Sequence, residues 1–358
     1  MKDIVCVTNV DRSIYICMEM IMVFNTTFEE SIALKSLGLN RKGNKLQNTT
    51  SFGGIGDVIN ILGMRVPSYM KSEPEWVDIY CNDCHQQQIK SYMNKKGEVI
   101  YMELDNNIYK LQKSPTSNML STMNLNLGCN NIIFKHRLSG ISIACDIWLY
   151  DCEDNIVIMD IDGTVTKSDV RGYIETVYLN YYTYVHHGLA PFLTEIDKLR
   201  LKILFLTSRP IAHHTETRNL LNGIRQDMCL IPRGPIMMNN EKVLDAVYRE
   251  IIARKTVEFK SGVLLNIANL FKTAGRVSKQ NPFIMGFGNK SSDAEAYLLA
   301  GLPSSSVLII DPHSKIVIWQ DFKDKSFNSY SDANLCNYVK DVIQSTEIIA
   351  TISDQSFR

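Results

Sequence analysis

The sequence predicts an α/β protein in which a doubly wound parallel sheet, with helices on both faces, follows a small all-β domain. After residue 151, short apolar runs alternate with stretches of helical periodicity, a pattern typical of parallel strands joined by crossover helices. Between residues 51 and 150, short alternating runs are separated by turn residues. Strands of this length and spacing favour a small immunoglobulin-like β-sandwich.

Length, charge and hydropathy limit what the protein can be. A chain of 358 residues is long enough for two domains. Its 38 basic residues balance 38 acidic ones, so no overall positive field attracts nucleic acid, and we expect no nucleic-acid partner. No apolar stretch reaches the roughly 18 residues that a membrane-spanning helix needs. We therefore expect a cytoplasmic protein whose contact with a membrane is peripheral.

We divide the chain into an N-terminal extension at residues 1–50, a β-sandwich at residues 51–150 and an α/β domain at residues 151–349. The extension contains one stretch of helical periodicity, Phe28–Leu39, whose apolar residues fall on one face. Such a face suits attachment to a membrane surface, and it suits docking on the protein itself equally well. The sequence leaves both alternatives open and does not indicate an oligomeric state.

One cysteine motif has the spacing of a metal site. Cys81 and Cys84 form a C-x-x-C motif with His85 beside it, which could supply half of a zinc site. No second C-x-x-C and no H-x-x-x-H follows. The favoured interpretation of the nine cysteines is therefore that they are reduced thiols in strands and loops.

Polar side chains follow the predicted strands of the α/β half. The apolar run Ile156–Met159 indicates a buried strand, and Asp160 and Asp162 follow it, with Gly163 able to turn sharply. Because the carboxyl ends of parallel strands share one edge of a sheet, where ligands bind, we expect such side chains to meet. The further candidates after predicted strands are Thr207, Ser208, Arg209, Arg233, Asn289 and Asp293.

This set of side chains suits phosphoryl chemistry. Carboxylate, hydroxyl and amide oxygens bind Mg²⁺ together with substrate phosphate oxygens, and they do not suit zinc. A carboxylate beside a second carboxyl group can attack phosphorus and form an aspartyl-phosphate, while the second transfers protons. Lys255 or Lys260, which lie between Arg233 and Asn289 in the chain, would neutralise the phosphate oxygens.

The motif Asp160-x-Asp162-Gly163-Thr164 resembles the first motif of the haloacid dehalogenase-like phosphatases, whose catalytic domain is Rossmann-like. A longer series of motifs, over roughly residues 120–320, resembles the lipin family of Mg²⁺-dependent phosphatidate phosphatases. The matching stretches are Trp148-Leu-Tyr, Asp160-Ile-Asp-Gly-Thr-Val-Thr-Lys-Ser-Asp169, His186-His-Gly188, Ser208-Arg209, Leu230-Ile-Pro-Arg-Gly-Pro235, Glu250-Ile-Ile, Phe259-Lys260 and Phe287-Gly-Asn289. The stretch at residues 52–59 resembles the start of the family's N-terminal lipin segment, which is expected to pair with residues 100–150 in one sandwich.

The resemblance implies hydrolysis of phosphatidate to diacylglycerol and phosphate, with Asp160 as nucleophile and Asp162 as acid and base. It implies that Thr207 and one lysine, Lys255 or Lys260, contact the phosphate. The implied substrate-binding residues are Gly163, Thr164, Ser208, Arg209 and Arg233, and the implied Mg²⁺ ligands are Asp160, Asp162, Asn289 and Asp293. The implied partner is a phosphatidate-containing membrane surface, at the endoplasmic reticulum or the nuclear membrane. Ion pairs that brace loops are the alternative role for Arg209 and Arg233.

The chain also departs from the lipin pattern. Some fifty atypical residues precede the lipin-like segment, and the family's Lys-Pro is Lys255-Thr256 here, so both lysines stay candidates. His186 and the tyrosines between residues 178 and 184 are expected to pack and not to react.

Two alternative functions remain. One is the same chemistry on a soluble phosphomonoester or a phosphoprotein. The other is a non-catalytic phosphatidate-binding module, as in phosphatidylinositol-transfer proteins, whose related domains lack the first aspartate. The presence of Asp160 argues against the second alternative.

Overall fold

The computed structural model describes residues 13–16, 75–94, 99–105, 108–112, 115–168, 184–239, 249–276, 281–319 and 325–355. Several predicted features lie outside these residues: the helix at Phe28–Leu39, the lipin-like segment at residues 52–59, and the tyrosines between residues 178 and 183. The chain divides into two compact units, one of residues 1–10 and 17–149 and one of residues 11–16 and 150–358. A short strand, β1 (Ser13–Ile16), belongs to the second unit.

The first unit contains an antiparallel sheet in the order β8-β7-β2-β4-β5-β6, with β3 paired to β2. Its elements are β2 (Glu75–Cys81), β3 (Cys84–His85), β4 (Lys90–Met93), β5 (Val99–Asp105), β6 (Ile108–Gln112), α1 (Ser117–Thr122), β7 (Gly128–His136) and β8 (Ser142–Asp151). The strands alternate between buried and exposed side chains, so Ile79, Ile132 and Phe134 form one fully buried face. A separate antiparallel sheet is therefore confirmed. The second sheet of the predicted sandwich would draw on residues 51–74, which are not described, so the sandwich stays a prediction.

The C-x-x-C motif occupies the hairpin between β2 and β3. Cys81 pairs directly with Cys84 across the two-residue turn, and Tyr80 pairs with His85. Because successive residues of a strand point to opposite faces, His85 lies on the face opposite the two cysteines. It stacks on Tyr80 with ring centroids 4.8 Å apart and lies 3.6 Å from the carboxylate of Asp78. Among the described residues, no three histidine, cysteine or acidic side chains are grouped as a metal site.

The second unit is a mixed α/β structure around a seven-stranded sheet in the order β13-β10-β9-β14-β15-β16-β17. Its strands are β9 (Ile156–Met159), β10 (Lys202–Pro210), β13 (Ile236–Asn239), β14 (Phe283–Gly288), β15 (Val307–Ile310), β16 (Ile316–Ile318) and β17 (Ser326–Phe327), and a separate hairpin contains β11 (Arg225–Gln226) and β12 (Cys229–Leu230). Its helices are α2 (Leu189–Lys198), α3 (His214–Gly223), α4 (Arg249–Thr273), α5 (Ser291–Leu299) and α6 (Ala333–Gln355).

Five adjacent strands of this sheet, from β13 to β15, are parallel, and only β16 and β17 are antiparallel. The predicted mostly parallel sheet is thus confirmed. The chain builds outward from β9 through β10 to β13, and then returns to β14 on the other side of β9. Because crossovers between parallel strands are right-handed, this reversal places α2 and α3 on one face and α4 and α5 on the other. The point of reversal, between β9 and β14, is where open α/β sheets bind ligands.

The centre of the sheet is completely buried. All four side chains of β9 have no exposed surface, as expected for a strand covered by helices on both faces. None of the helices in the described part of the chain is long and apolar enough to cross a membrane.

Candidate active site

Three strands end side by side at the point of reversal. Met159 of β9 pairs with Phe205 of β10 on one side and with Phe287 of β14 on the other. The amide of the next residue, Asp160, still donates to the carbonyl of Phe287 at 3.0 Å. The candidate site residues follow Met159, Phe205 and Phe287 in the chain. They therefore meet at one edge of the sheet.

Asp160 is buried, and both of its carboxylate oxygens have partners. The hydroxyl of Thr164 donates to Oδ2 at 3.0 Å, and the ammonium of Lys260 donates to Oδ1 at 2.5 Å. Thr164 can fold back onto Asp160 because the chain turns at Gly163, whose φ of 85° lies in the left-handed region that favours glycine. Burial raises the pKa of Asp160 to about 7, against the lowering effect of the Lys260 ammonium.

Lys260 brings two carboxylates together. It projects from α4, is 2% exposed, and donates to Oδ1 of Asp293 at 2.6 Å as well as to Asp160. Burial alone would lower its pKa, but the two carboxylates hold the pKa of Lys260 above its ordinary value. Lys255 lies on the same helix and is exposed. Of the two candidate lysines, Lys260 is therefore the one that the structure places against the carboxylates.

Asp293 is fixed at the start of α5. Its Oδ2 accepts from the backbone amides of Asn289 and Lys290, both at 3.0 Å, which is the usual role of a carboxylate in the first turn of a helix. Gly288 allows this close approach, since a Cβ there would lie 2.4 Å from Cβ of Asp293. Asn289 is half-buried beside it.

The second acid, Asp162, is held by β10. Arg209 donates from Nε to Oδ1 and Oδ2 at 3.1 and 2.9 Å and from Nη2 to Oδ1 at 2.7 Å, and the Thr207 hydroxyl donates to Oδ2 at 3.2 Å. Thr207 and Arg209 are two residues apart on a strand, so both reach the same side, while Ser208 between them is exposed. The Arg209 side chain is 1% exposed and the Asp162 side chain 20% exposed, so this acid is the more accessible of the two.

The sequence candidates thus fall into two groups. Around Lys260 and Arg209 the structure gathers Asp160, Asp162, Thr164, Thr207 and Asp293, with Gly163 and Asn289 adjacent in the chain. Ser208, Arg233 and Lys255 are exposed. The expected position of Arg233 at the carboxyl end of a strand is wrong, because Arg233 precedes β13. The neighbouring Gly234 lies against the carbonyl of Ile203 near the start of β10, so Arg233 lies toward the edge of the sheet opposite Asp160.

Two residues of the site were not recognised in the sequence. The hydroxyl of Tyr330 donates to the carbonyl of Thr164 at 3.2 Å, and the side chain of Ser314 lies 2.8 Å from Nδ1 of His186. His186 itself is fully buried, as expected, with its Nε2 3.4 Å from the carbonyl of Gly163. Tyr330 lies in a polar stretch with no strand or helix pattern, so no sequence signal pointed to it.

The side chains at this edge of the sheet have the chemistry of Mg²⁺ ligands, but in the described part of the chain they do not come together as a group of three that could hold a metal ion. The carboxylates of Asp160, Asp162 and Asp293 and the amide oxygen of Asn289 are hard oxygen ligands, and the described residues bring no cysteine to them. Lys260 and Arg209 neutralise part of the negative charge of these carboxylates.

Comparison with known proteins identifies the family. The LNS2 (Lipin/Ned1/Smp2) family matches residues 111–342, which is more than half of the chain. The protein belongs to the LNS2 lipin family. The lipin resemblance found in the sequence is thereby confirmed, and with it the haloacid dehalogenase-like class of the α/β unit.

Similar proteins include three from plants and fungi. The chain is 35% identical over 205 residues to Phosphatidate phosphatase PAH1 of Arabidopsis thaliana, a match that covers 56% of this chain and 22% of the relative. It is 32% identical over 208 residues to Phosphatidic acid phosphohydrolase 1 of Saccharomyces cerevisiae (56% and 24%), and 32% identical over 203 residues to Nuclear elongation and deformation protein 1 of Schizosaccharomyces pombe (57% and 30%). The matched region spans less than a third of each of these LNS2 lipin relatives.

Proposed function

We propose that this LNS2 protein is a Mg²⁺-dependent phosphatidate phosphatase, which hydrolyses phosphatidate to diacylglycerol and phosphate through an aspartyl-phosphate on Asp160. The observation that supports this most is the pairing of the buried Lys260 ammonium with Asp160 and Asp293 at the switch point of the sheet. A cation between two carboxylates at this position suits a transferring phosphoryl group, on which negative charge must be neutralised.

Asp160 is proposed as the nucleophile. One of its carboxylate oxygens attacks phosphorus, and the bond from phosphorus to the diacylglycerol oxygen breaks. Thr164 and Lys260 hold the two oxygens of this carboxylate, so its orientation is set before the substrate arrives. When bound, Mg²⁺ would be held by Asp160, Asp162, Asn289 and Asp293 and would neutralise charge on the phosphoryl oxygens.

Asp162 is proposed as the proton carrier. It protonates the departing diacylglycerol oxygen in the first step and removes a proton from water in the second. That water attacks phosphorus, phosphate leaves, and Asp160 is regenerated. The ionised form of Asp162 is the one that accepts the hydrogen bonds of Arg209 and Thr207, so these residues orient the base for the second step.

We propose a lipid substrate because two of the relatives are named for action on phosphatidate or phosphatidic acid. The site would then work at a phosphatidate-containing membrane surface, at the endoplasmic reticulum or nuclear membrane. Ser208, which is exposed near the end of β10, is proposed to contact the lipid headgroup.

The test compares phosphate release from phosphatidate in mixed detergent micelles with release from glycerol 3-phosphate and p-nitrophenyl phosphate, each with Mg²⁺ and with a chelator. We expect Mg²⁺-dependent turnover that is much faster on phosphatidate. Faster turnover of a soluble ester would contradict the lipid specificity and favour a soluble-substrate phosphatase. Binding to phosphatidate liposomes with no phosphate release from any substrate would favour the non-catalytic module.

A further inference from the structure

The turn that contains the two catalytic acids, residues 160–166, is held through two of its backbone carbonyls. The Tyr330 hydroxyl donates to the carbonyl of Thr164 at 3.2 Å, and His186 Nε2 lies 3.4 Å from the carbonyl of Gly163. Tyr330 is 2% exposed and His186 is fully buried. Neither side chain touches the carboxylates directly in these contacts, so their effect on the site must pass through the turn.

Tyr330 is connected to the proposed nucleophile, Asp160, through Thr164. The Thr164 residue whose carbonyl Tyr330 holds also donates its hydroxyl to Oδ2 of Asp160 at 3.0 Å. Because Lys260 holds the other oxygen, the position of Thr164 determines the rotation of the carboxylate about its last bond. A hydrogen bond on the backbone of Thr164 therefore helps to set the direction in which Asp160 attacks.

Tyr330 is itself held rigidly. Its ring packs against Phe192 of α2 and Phe287 of β14, with ring centroids 5.3 and 6.0 Å away, and against His186 at 6.1 Å. A buried tyrosine needs a partner for its hydroxyl. Here the oxygen acceptor is the carbonyl of Thr164, and the weaker acceptor Sδ of Met159 lies 3.8 Å from the same hydroxyl. The residue comes from the loop before α6, far along the chain from the turn that it holds.

His186 contacts the second carbonyl of the turn, that of Gly163, as a neutral ring. Burial lowers its pKa to about 4, so at neutral pH the ring carries one proton. With that proton on Nε2 the ring donates to Gly163, and Nδ1 accepts from the Ser314 hydroxyl at 2.8 Å. Ser314 lies in the turn between β15 and β16 and thus fixes the orientation of the ring.

We propose that Tyr330 is a positioning residue for the phosphatase reaction, which orients the Asp160 nucleophile through Thr164, and that the Ser314–His186 pair supports the same turn at Gly163. The expected effect on kcat rests on the proposed function. The expected effect on the stability of the turn rests only on its geometry.

The kinetic test uses Tyr330→Phe, which removes the hydroxyl and keeps the packed ring. The matched control is Tyr338→Phe, which loses a similar bond, from a tyrosine hydroxyl to the carbonyl of Ser305 at 2.7 Å, on α6. We expect kcat on phosphatidate to fall about ten-fold in Tyr330→Phe with KM changed less than about two-fold, and Tyr338→Phe to match wild type. An unchanged kcat, or a change in KM alone, would overturn the proposal.

A double-mutant cycle tests the route through Thr164. If Tyr330 acts through this residue, Tyr330→Phe should lower kcat much less in a Thr164→Val background than in wild type, because the bond to Asp160 is already lost there. Full additivity would show that Tyr330 acts by some other route.

The effect on the turn is measured by amide hydrogen–deuterium exchange without substrate, which does not depend on activity. In Tyr330→Phe, the amides of residues 161–166 should exchange at least about five-fold faster, while exchange in β14 stays as in wild type. Ser314→Gly is the second variant: glycine suits the φ of 76° at this position and removes only the hydroxyl that orients His186. Unchanged exchange in the turn in both variants would overturn the proposal, whereas inactivity of the wild type would overturn only the proposed function.

Discussion

Arg209 holds Asp162 by hydrogen bonds to both carboxylate oxygens, and its own guanidinium is buried. A second contact, from Nη1 to the Thr217 hydroxyl at 3.2 Å, fixes the other side of the guanidinium. Asp162 is thereby held in one orientation by a rigid, permanently charged group. The sequence left open whether Arg209 binds substrate or forms an ion pair, and the structure shows an ion pair with Asp162, the proposed proton carrier.

Replacing Arg209 by lysine should therefore impair catalysis although the charge is kept. Lysine cannot form the forked pair, so Asp162 would lose its fixed orientation, and we expect kcat/KM on phosphatidate to fall about 10- to 100-fold. Arg137→Lys is the matched control, because Arg137 makes the same kind of forked pair with Asp78 in the β-sheet unit. Equal activities of the two variants would contradict the role assigned to Arg209.

The two lysines of α4 should differ sharply. Lys260→Met leaves the buried Asp160 and Asp293 carboxylates without their shared cation, so we expect a loss of about 100-fold or more in kcat. Lys255→Met changes an exposed side chain on the same helix and should keep activity within about two-fold of wild type. Steady-state kinetics on phosphatidate micelles, with circular dichroism to verify folding, separates the two. A larger loss in Lys255→Met would reverse the assignment.

The choice between these lysines shows where sequence reasoning stopped. Residues five apart on a helix lie about 140° apart around its axis, so the spacing alone implied that only one could face the carboxylates. Which one does so depends on how α4 packs on the sheet. That packing follows from apolar contacts far along the chain, and local periodicity does not contain it.

Asp160 and Asp162 were predictable because they directly follow a buried strand, whose apolar run is visible in the local sequence. Ile236–Asn239 was missed as a strand, since four residues after a Pro-Arg-Gly-Pro turn give too little periodicity. Tyr330 was missed for a different reason. Its partner, the carbonyl of Thr164, is a backbone atom 166 residues away, and a backbone acceptor leaves no mark on the side-chain pattern.

His186 should make the stability of the protein depend on pH. Its pKa is lowered by burial from 6.5 to about 4, so between these values the unfolded chain binds a proton that the folded protein does not. Its contribution to stability is complete above pH 6.5 and decreases as the pH falls toward about 4. From about pH 7.5 to about pH 5, this group alone should lower the free energy of unfolding by about 2 kcal/mol.

His186→Gln supplies the comparison for this prediction, because glutamine keeps a donor and an acceptor but does not titrate. Urea unfolding at the two pH values should show a smaller loss of stability in the variant than in wild type. The same loss in both proteins would mean that His186 does not bind a proton on unfolding in this range.

The role of Asp160 as nucleophile is tested by phosphate release from phosphatidate by wild type and Asp160→Asn, each with Mg²⁺ and with a chelator. Asparagine keeps the size of the side chain and removes the nucleophilic carboxylate. We expect rapid Mg²⁺-dependent release by wild type and a loss of about 1,000-fold or more in the variant. Release by Asp160→Asn at a rate near that of wild type would contradict this role.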